Sequence, residues 1–347
     1  MGKYEIVIIG AGPAGLRCAE ILASSGKTVI VLEKNKVIGP KVCGGGITYK
    51  GLKELGIPNS LFQRKFKKVD VHTKLQDSKV ETGEIFIATI SRTDLGQWMA
   101  KKAKKAGAII KSNSEVEKIN EEFVTLKDKE EIHYDYLVGA DGATSIVRKY
   151  LGLKMDNFLQ AFQYIIPKKC QKMELFSDIE KFGNAYLWIF PYKNSVSVGT
   201  GWDSSKKIKQ PALNISHKEI RKNFDEFCKK RFNLKKAKFE AFMINYDYKG
   251  HEFKNKFLVG DAGGFASGLT GEGMYFAIKS GEDVARKILN KNYKYQYIPH
   301  MLEAKKIQEN LLRSTEINPT ISKVEAEIMN LILKVKTFDK SIFNYLD

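Results

Sequence analysis

The chain has 347 residues, 43% of them hydrophobic, and its 58 lysines and arginines outnumber 40 acidic residues to give a net charge of +18. This length allows a large core, and no run of about 18 apolar residues predicts a membrane-spanning helix. The four cysteines form no disulfide or zinc pattern, the five histidines predict no metal site, and no signal sequence precedes the first predicted strand. We therefore expect a cytoplasmic, globular, enzyme-sized protein with reduced thiols.

The positive charge suits three kinds of partner: nucleic acid, an anionic membrane surface, or an acidic redox protein. No nucleic-acid-binding motif is present, so we expect no nucleic acid partner. The other two partners stay open. We therefore expect a cytoplasmic protein, and its charge is compatible with peripheral contact at the inner face of the membrane.

The first 33 residues predict a parallel βαβ unit, with strands at 4–9 and 28–32 and a helix at 13–25. A glycine motif, Gly10-Ala11-Gly12-Pro13-Ala14-Gly15, fills the turn between strand and helix. Its first glycine permits the turn, the second lets the backbone approach a pyrophosphate, and the third packs helix on strand.

Glu33 follows the second strand, where its carboxylate can bond ribose hydroxyls. A carboxylate there disfavours a 2′-phosphate, so this motif predicts either FAD or NAD.

Further along the chain, alternating or aromatic-rich segments predict strands at 84–90, 132–138, 159–167, 171–177, 184–190, 195–200 and 257–259. Helices are predicted at 93–106 and in the lysine-rich stretch that precedes residue 245.

The segment after strand 257–259 distinguishes FAD from NAD. Gly260-Asp261 places a carboxylate at a strand end, where it can reach the polyol chain that FAD has and NAD lacks. The following residues, including Gly271, Gly273 and Met274, begin a helix whose positive end favours an anionic reduced flavin. We therefore predict FAD.

These patterns predict an α/β fold with a discontinuous Rossmann-type FAD-binding domain of residues 1–65, 84–155 and 246–290. Residues 66–83 and 156–245 are expected to form an inserted antiparallel β-sheet domain for the substrate, and residues 291–347 a helical segment. In that segment Ile321, Val324, Ile328, Leu331, Val335 and Phe338 recur at helical spacing, which suits either packing on the body or membrane contact.

Two motifs resemble those of the para-hydroxybenzoate-hydroxylase-like flavoproteins. Gly139-Ala140-Asp141-Gly142-Ala143-Thr144-Ser145, followed by Arg148, is similar to their second fingerprint. Arg92, just before a predicted helix, matches a position that binds the cofactor in that superfamily. A guanidinium suits a phosphate because its donors are fixed and bidentate.

Two further motifs resemble the geranylgeranyl reductase family. Pro40-Lys41-Val42-Cys43-Gly44-Gly45-Gly46-Ile47 is similar to its cysteine-triglycine loop, in which bare backbone lies flat against a ligand. Tyr186-Leu187-Trp188-Ile189-Phe190-Pro191, followed by Gly199-Thr200-Gly201, is similar to its aromatic motif. Strand periodicity puts the three aromatic rings on one face, where they either wall a long apolar cavity or form a sheet core.

The catalytic candidates that the resemblance implies are Cys43, Tyr186, Trp188 and Phe190. Cys43 would act as an acid, as a polarisable contact or as a packing residue. It also implies cofactor contacts, at Ala14, Glu33, Cys43, Gly44, Gly46, Arg92, Val116, Asp261, Gly273 and Met274.

The function that the resemblance implies is an FAD-dependent reductase, which saturates C=C bonds of geranylgeranyl or other prenyl chains in isoprenoid lipids, quinones or pigments. Hydride would come from reduced flavin, and the proton from Cys43 or a water molecule. The electron donor would be a nicotinamide nucleotide or an acidic redox protein such as ferredoxin. Two alternatives stay open: an FAD-dependent aromatic monooxygenase, and a lycopene-cyclase-like flavoprotein without net redox turnover.

Overall fold

The computed structural model of the protein describes residues 2–204 and 215–317. The first strand of its first sheet is followed by a glycine turn and a helix. The strands of the described residues are Gly2–Ile9 (β1), Val29–Leu32 (β2), Gly46–Thr48 (β3), Phe62–Phe66 (β4), Lys68–His72 (β5), Asp77–Glu81 (β6), Ile87–Ile90 (β7), Ile109–Lys111 (β8), Val116–Ile119 (β9), Phe123–Leu126 (β10), Glu131–Gly139 (β11), Phe158–Ile166 (β12), Glu174–Phe176 (β13), Leu187–Pro191 (β14), Val196–Asp203 (β15), Lys238–Asn245 (β16), Glu252–Phe253 (β17) and Lys256–Leu258 (β18). Their helices are Pro13–Ser24 (α1), Tyr49–Glu54 (α2), Arg92–Lys105 (α3), Ile146–Tyr150 (α4), Ile179–Phe182 (α5), His217–Arg231 (α6), Met274–Leu289 (α7) and Ile298–Ile317 (α8).

The first sheet has the strand order β17-β18-β11-β1-β2-β8, with the β9–β10 hairpin attached to β11. Strands β18, β11, β1, β2 and β8 are parallel, and the last four residues of β1 are buried. A strand covered on both faces needs a continuous apolar run, which is the pattern from Ile6 to Ile9. The predicted Rossmann-type domain is confirmed.

The distal segment joins this sheet directly. Strand β18 pairs in parallel with β11, and the Val259 N–H continues the ladder to the Gly139 carbonyl at 2.9 Å. Helix α7 then packs on α1 so closely that a Cβ at Gly281 would lie 2.3 Å from the Ala14 oxygen. The glycine turn after β1 and the Gly260-Asp261 turn after β18 are therefore parts of one layered unit.

The second sheet has the order β16-β12-β15-β14-β13-β5-β6 and is antiparallel except between β13 and β5. Helix α6 covers one face through the fully buried side chains of Phe224 and Cys228. The opposite face is turned toward a small third sheet of order β3-β7-β4, and an apolar cluster of both sheets fills the space between them. Residues 68–81 and 158–245 thus contribute to one sheet, and the predicted inserted antiparallel sheet is confirmed.

Helix α8 docks on the body through a buried lysine. Lys305 is 3% exposed, and its ammonium group donates to the carbonyls of Tyr246 at 2.8 Å and Ala266 at 3.0 Å. The Glu309 carboxylate lies 3.8 Å away. Burial lowers the pKa of Lys305 to about 8, because the charged form is poorly solvated there.

This burial predicts a pH-dependent stability. In the unfolded chain Lys305 titrates near 10.5, so between pH 8 and 10.5 the unfolded state binds more protons than the folded state. The free energy of unfolding should therefore rise with pH in this window, by up to about 3 kcal/mol relative to Lys305→Met. Urea unfolding of both proteins from pH 7 to 10.5 measures this difference, and a constant difference would contradict the assignment.

Among the described residues, no helix combines the length and the apolar character that crossing a bilayer requires. Helix α8 lies in the predicted helical segment, whereas the apolar stripe from Ile321 to Phe338 lies outside the described residues.

Candidate functional site

The three glycines of the first turn differ in how much space surrounds them. Gly10 has φ +102°, and a Cβ there would lie 2.4 Å from the Ala140 oxygen. A Cβ at Gly15 would lie 2.1 Å from the Gly10 oxygen, whereas at Gly12 the nearest atom would be 3.9 Å away. Gly10 and Gly15 are therefore required by the fold, and Gly12 leaves the open space that close approach of a pyrophosphate to the backbone would need.

Helix α1 begins at Pro13 beside this space, with Gly12 as N-cap and no side-chain cap. Its first-turn amides and positive dipole end thus face the open side of the turn, as anion binding requires. Ala14 is buried where the first glycine turn meets the Gly260-Asp261 turn. A Cβ on Gly260 would lie 3.2 Å from the Ala14 methyl carbon.

Glu33 closes the other side of the glycine turn. One carboxylate oxygen accepts the Ala11 N–H at 2.9 Å, and the other accepts the backbone and side-chain N–H groups of Asn35 at 2.9 and 2.7 Å. Val116 begins the nearby strand β9, and its side chain is buried in the apolar cluster beneath the turn. Any cofactor contact at Val116 must therefore use its main chain.

Arg92 is the first residue of α3, whose N-cap Ser91 accepts the Asp94 N–H. The Arg92 Nε is buried without a hydrogen-bond partner in the described part of the chain. Because a buried donor without an acceptor costs free energy, this position fits a ligand that supplies an anionic or carbonyl oxygen.

The second fingerprint anchors two segments. One oxygen of Asp141 accepts the Ile146 N–H at 2.7 Å, and Oδ1 is buried without a partner among the described residues. Arg148, 2% exposed, donates to the Ala262 carbonyl at 3.3 Å and the Asp247 carbonyl at 2.7 Å. One oxygen of Asp141 thus caps α4, and the other is available to a ligand. Arg148 fixes the turn that carries Asp261.

Asp261 lies at the N-terminus of helix α7. A Cβ at Gly273, the N-cap, would lie 3.5 Å from its Oδ1, and the Glu272 carboxylate accepts the Tyr275 N–H in the first turn at 3.2 Å. The Asn245 amide donates to the Asp261 carbonyl at 2.7 Å and so orients the turn. Gly271 lies in the preceding loop, with a Cβ position 3.5 Å from an Ile244 methyl carbon.

Lys41 is a site residue that the sequence reading missed. Its ammonium group pairs with Asp261 Oδ2 at 2.9 Å across 220 positions of sequence. It therefore brings a positive charge, from the loop that also carries Cys43, to the place where the dinucleotide is expected.

Replacing Lys41 by glutamine is expected to weaken FAD binding about fivefold, since the half-exposed ammonium is partly screened but attracts the pyrophosphate. Fluorescence titration of the apoprotein with FAD measures the affinity. Lys67→Gln, at an exposed lysine between β4 and β5, is the matched control. Equal or tighter FAD binding by Lys41→Gln would show that Lys41 competes with the cofactor for Asp261.

The triglycine loop packs on the aromatic strand β14 and on the residue that follows it. A Cβ at Gly44 would lie 3.3 Å from Trp188 Nε1, and one at Gly46 would lie 2.9 Å from the Phe190 ring. Gly45 has φ +76°, and its missing side chain leaves room for the Tyr192 hydroxyl, which donates to the Gly44 carbonyl at 3.0 Å. Each glycine is therefore matched to one aromatic side chain.

Cys43 lies at the start of this contact. The residue is partly exposed, and its sulfur accepts the Gly45 N–H at 3.4 Å. The aromatic rings form the predicted single face: Tyr186 and Trp188 are 6.1 Å apart between centroids, as are Trp188 and Phe190. The loop and the aromatic wall thus lie together.

Tyr186 also links this wall to the loop that precedes α7, because its hydroxyl donates to the Thr270 carbonyl at 2.8 Å. Burial raises the pKa of the Tyr186 and Tyr192 hydroxyls, so both are neutral phenols near pH 7. Tyr192 directly follows the predicted motif, and only its position after Pro191 could have suggested it.

In the described part of the chain, the open space beside Gly12 and the Arg92 Nε without a partner fit the anionic part of an elongated cofactor. The unpaired Asp141 oxygen, which can only accept, fits a hydroxyl group of such a cofactor. In residues 2–204 and 215–317 no three His, Cys, Asp or Glu side chains cluster so that they could hold a metal ion.

Comparison with known proteins agrees with this geometry. Residues 3–294 match the family described as FAD binding domain. An uncharacterised protein of Methanosarcina barkeri is 30% identical over 93% of this chain and 84% of its own length. The chloroplastic geranylgeranyl diphosphate reductase of Arabidopsis thaliana is 27% identical over 83% of this chain, and the match spans 66% of the plant protein.

Among solved structures, a geranylgeranyl bacteriochlorophyll reductase-like protein of Thermoplasma acidophilum superposes with a TM-score of 0.70 at 21% identity. The superposition covers 100% of this chain and 91% of the other, so the two share a fold.

Proposed function

We propose, on the premise that this chain belongs to the FAD-binding-domain family, that it saturates C=C bonds of geranylgeranyl or related prenyl chains. The chain is an FAD-dependent oxidoreductase similar to geranylgeranyl reductases. The observation that carries the finer proposal is the contact of the Cys43 triglycine loop with the aromatic rings of Trp188 and Phe190.

The apolar surroundings of the aromatic wall suit an isoprenoid chain. Where the second and third sheets meet, apolar side chains surround Trp188 and Phe190, and they include Phe66, Val69, Val80, Phe86, Ala161 and Met173. An apolar lining binds a hydrocarbon chain by excluding water and offers no hydrogen bonds to a small polar substrate.

When bound, FAD in its reduced form supplies the hydride for one alkene carbon. The residues of this chain have three tasks. Gly12, helix α1 and Arg92 bind the anionic part of the cofactor; the faces of Tyr186 and Trp188 stabilise positive charge that develops on an alkene carbon. The apolar cluster keeps water from that carbon.

The proton for the second alkene carbon comes from Cys43 or from an ordered water in this proposal. Cys43 is partly exposed beside the wall. Tyr186 and Tyr192 are weaker acids than free phenols because burial raises the pKa of both. Their role here is to hold the loops at Thr270 and Gly44.

The electron donor in this proposal is a nicotinamide nucleotide or an acidic redox protein such as ferredoxin. The net charge of +18 supports docking of an acidic protein and contact with an anionic membrane surface. Anaerobic flavin reduction by NADPH, compared with reduction by reduced ferredoxin at low and high salt, distinguishes the donors. The donor is the one that reduces the flavin, and reduction by ferredoxin should slow more steeply with salt, because an acidic protein surface brings more charges to the contact than a nucleotide does.

The reductase proposal is tested anaerobically. The purified protein is reduced with dithionite, a geranylgeranyl lipid is added, and flavin absorbance and lipid mass are followed together. Flavin reoxidation that accompanies saturation of the lipid supports the proposal.

Two other results would contradict it. Unchanged lipid, with hydroxylation of an aromatic compound when air is admitted, would indicate a monooxygenase. A rearranged lipid of unchanged mass, with the flavin still reduced, would indicate a lycopene-cyclase-like reaction.

A further inference from the structure

Polar side chains lie buried in the second sheet directly beside the aromatic wall. Gln163 on β12 is 1% exposed, and Ser197 on β15 is fully buried. The Trp188 indole N–H donates to the Ser197 hydroxyl at 2.9 Å, and this hydroxyl donates to Gln163 Oε1 at 2.9 Å. Three strands are thus connected through side chains inside an otherwise apolar face.

The register of the sheet explains how these groups meet. Residues Glu240, Gln163, Gly199 and Trp188 stand in one row across β16, β12, β15 and β14. A Cβ at Gly199 would lie 2.2 Å from the Trp188 ring, so the indole lies over the bare glycine. This arrangement turns the indole N–H toward Ser197.

The other end of Gln163 reaches the triglycine loop. Its amide group donates to the Cys43 carbonyl at 3.3 Å and to Glu240 Oε2 at 3.0 Å. The second oxygen of Glu240 pairs with the exposed Lys238 at 2.7 Å. Gln163 therefore contacts both the residue that carries the candidate thiol and, through Ser197, the central ring of the wall.

The chemistry of the groups fixes the direction of every bond. An indole N–H can only donate, so Ser197 accepts from it and must donate its own hydrogen to Gln163. The Gln163 amide cannot be reversed, because its nitrogen faces two acceptors and its oxygen faces a donor. A fully satisfied buried network of this kind permits one arrangement and penalises others, since any displaced member leaves a polar group without a partner.

We propose that Gln163 and Ser197 are positioning residues that lock the Cys43 loop and the Trp188 ring in one fixed mutual geometry. Their bearing on catalysis rests on the proposed reductase function. The lock itself concerns only this chain's own side chains. It sets the distance between the Cys43 segment and the ring face along which a substrate chain would lie.

The lock is tested by the rate at which iodoacetamide alkylates Cys43 in holoenzyme that carries Cys170→Ser. Cys18 and Cys228 are fully buried and report whether the fold is intact. Gln163→Leu is expected to raise the alkylation rate of Cys43 severalfold while the buried thiols stay unreactive. Gln160→Leu is the matched control, since Gln160 is on the same strand and its amide bonds the Phe242 carbonyl instead.

Ser197→Ala provides a second variant, because it removes only one hydroxyl and is expected to fold even where Gln163→Leu does not. It should alter the tryptophan emission of the protein and speed Cys43 alkylation to a smaller extent. In both variants kcat for prenyl reduction should fall about 10-fold to 100-fold with little change in KM, because misplacement of the reacting groups acts on the chemical step.

Unchanged Cys43 alkylation and unchanged kcat in folded Gln163→Leu or Ser197→Ala protein would overturn the proposal. A wild-type enzyme without prenyl reduction, whose Cys43 still responds to these variants, would refute the reductase function and leave the lock standing. The two failures are therefore distinguishable.

Discussion

A Gly12→Ala variant is expected to fold normally but to be purified with little bound FAD. The backbone of Gly12 is extended, and a Cβ there would meet no atom closer than 3.9 Å, so the fold accommodates alanine. The added methyl group occupies the space assigned to the pyrophosphate. Overpacking of this kind costs about 1–3 kcal/mol, which corresponds to an affinity about 10- to 100-fold lower.

Gly15→Ala, three residues further along, is expected to disturb the fold itself, in contrast to Gly12→Ala. Its Cβ would lie 2.1 Å from the Gly10 carbonyl oxygen, so α1 must move away from β1. We expect a clear loss of thermal stability in the apoprotein itself. Thermal melts of both apoproteins, together with FAD titration, separate the two effects. A Gly12→Ala protein that binds FAD like wild type would show that the pyrophosphate lies elsewhere.

Gly199→Ala is expected to abolish most prenyl reduction while FAD binding persists. A Cβ at Gly199 would lie 2.2 Å from Trp188 Cζ2, so the indole has to leave its place over the sheet. The free energy of unfolding should fall by about 1–3 kcal/mol, as for other overpacked cores. The rate of product formation should fall by more than this loss of stability accounts for, because the wall loses its central ring.

The control for this variant is Gly83→Ala, where a Cβ would meet no atom within 4 Å. Urea unfolding, FAD titration and single-turnover lipid reduction should all be unchanged there. Smaller side chains at position 188 test the cause: adding Trp188→Phe to Gly199→Ala should restore part of the lost stability. Full activity of Gly199→Ala would remove Trp188 from the proposed wall.

Much of the fold could be predicted from the sequence, because its signals are local. The apolar run of β1, the glycine turn and the amphipathic α1 follow each other within 24 residues, and each follows a simple steric rule. The Asp261 segment could be recognised for the same reason, since a strand, a glycine and a carboxylate are adjacent in the chain.

The contacts that the sequence reading missed are long-range. Lys41 meets Asp261 across 220 residues, and Gln163 meets the Cys43 carbonyl across 120. No periodicity encodes such pairs, because they depend on how the two sheets approach each other. The role of Asp141 in capping α4 was missed for a different reason: a helix of five residues gives no clear pattern.

The discontinuity of the first sheet also determines when the cofactor can be bound during synthesis. Strand β18 and helix α7 leave the ribosome only after the whole second sheet, although they complete the unit begun by β1 and α1. A nascent chain that ends before residue 256 lacks Asp261 and α7, and its α1 has no partner at the Ala14 surface. Flavin incorporation is thus confined to the last stage of translation or later, and until then the amino-terminal unit exposes the apolar surface of α1 that α7 covers in the folded protein.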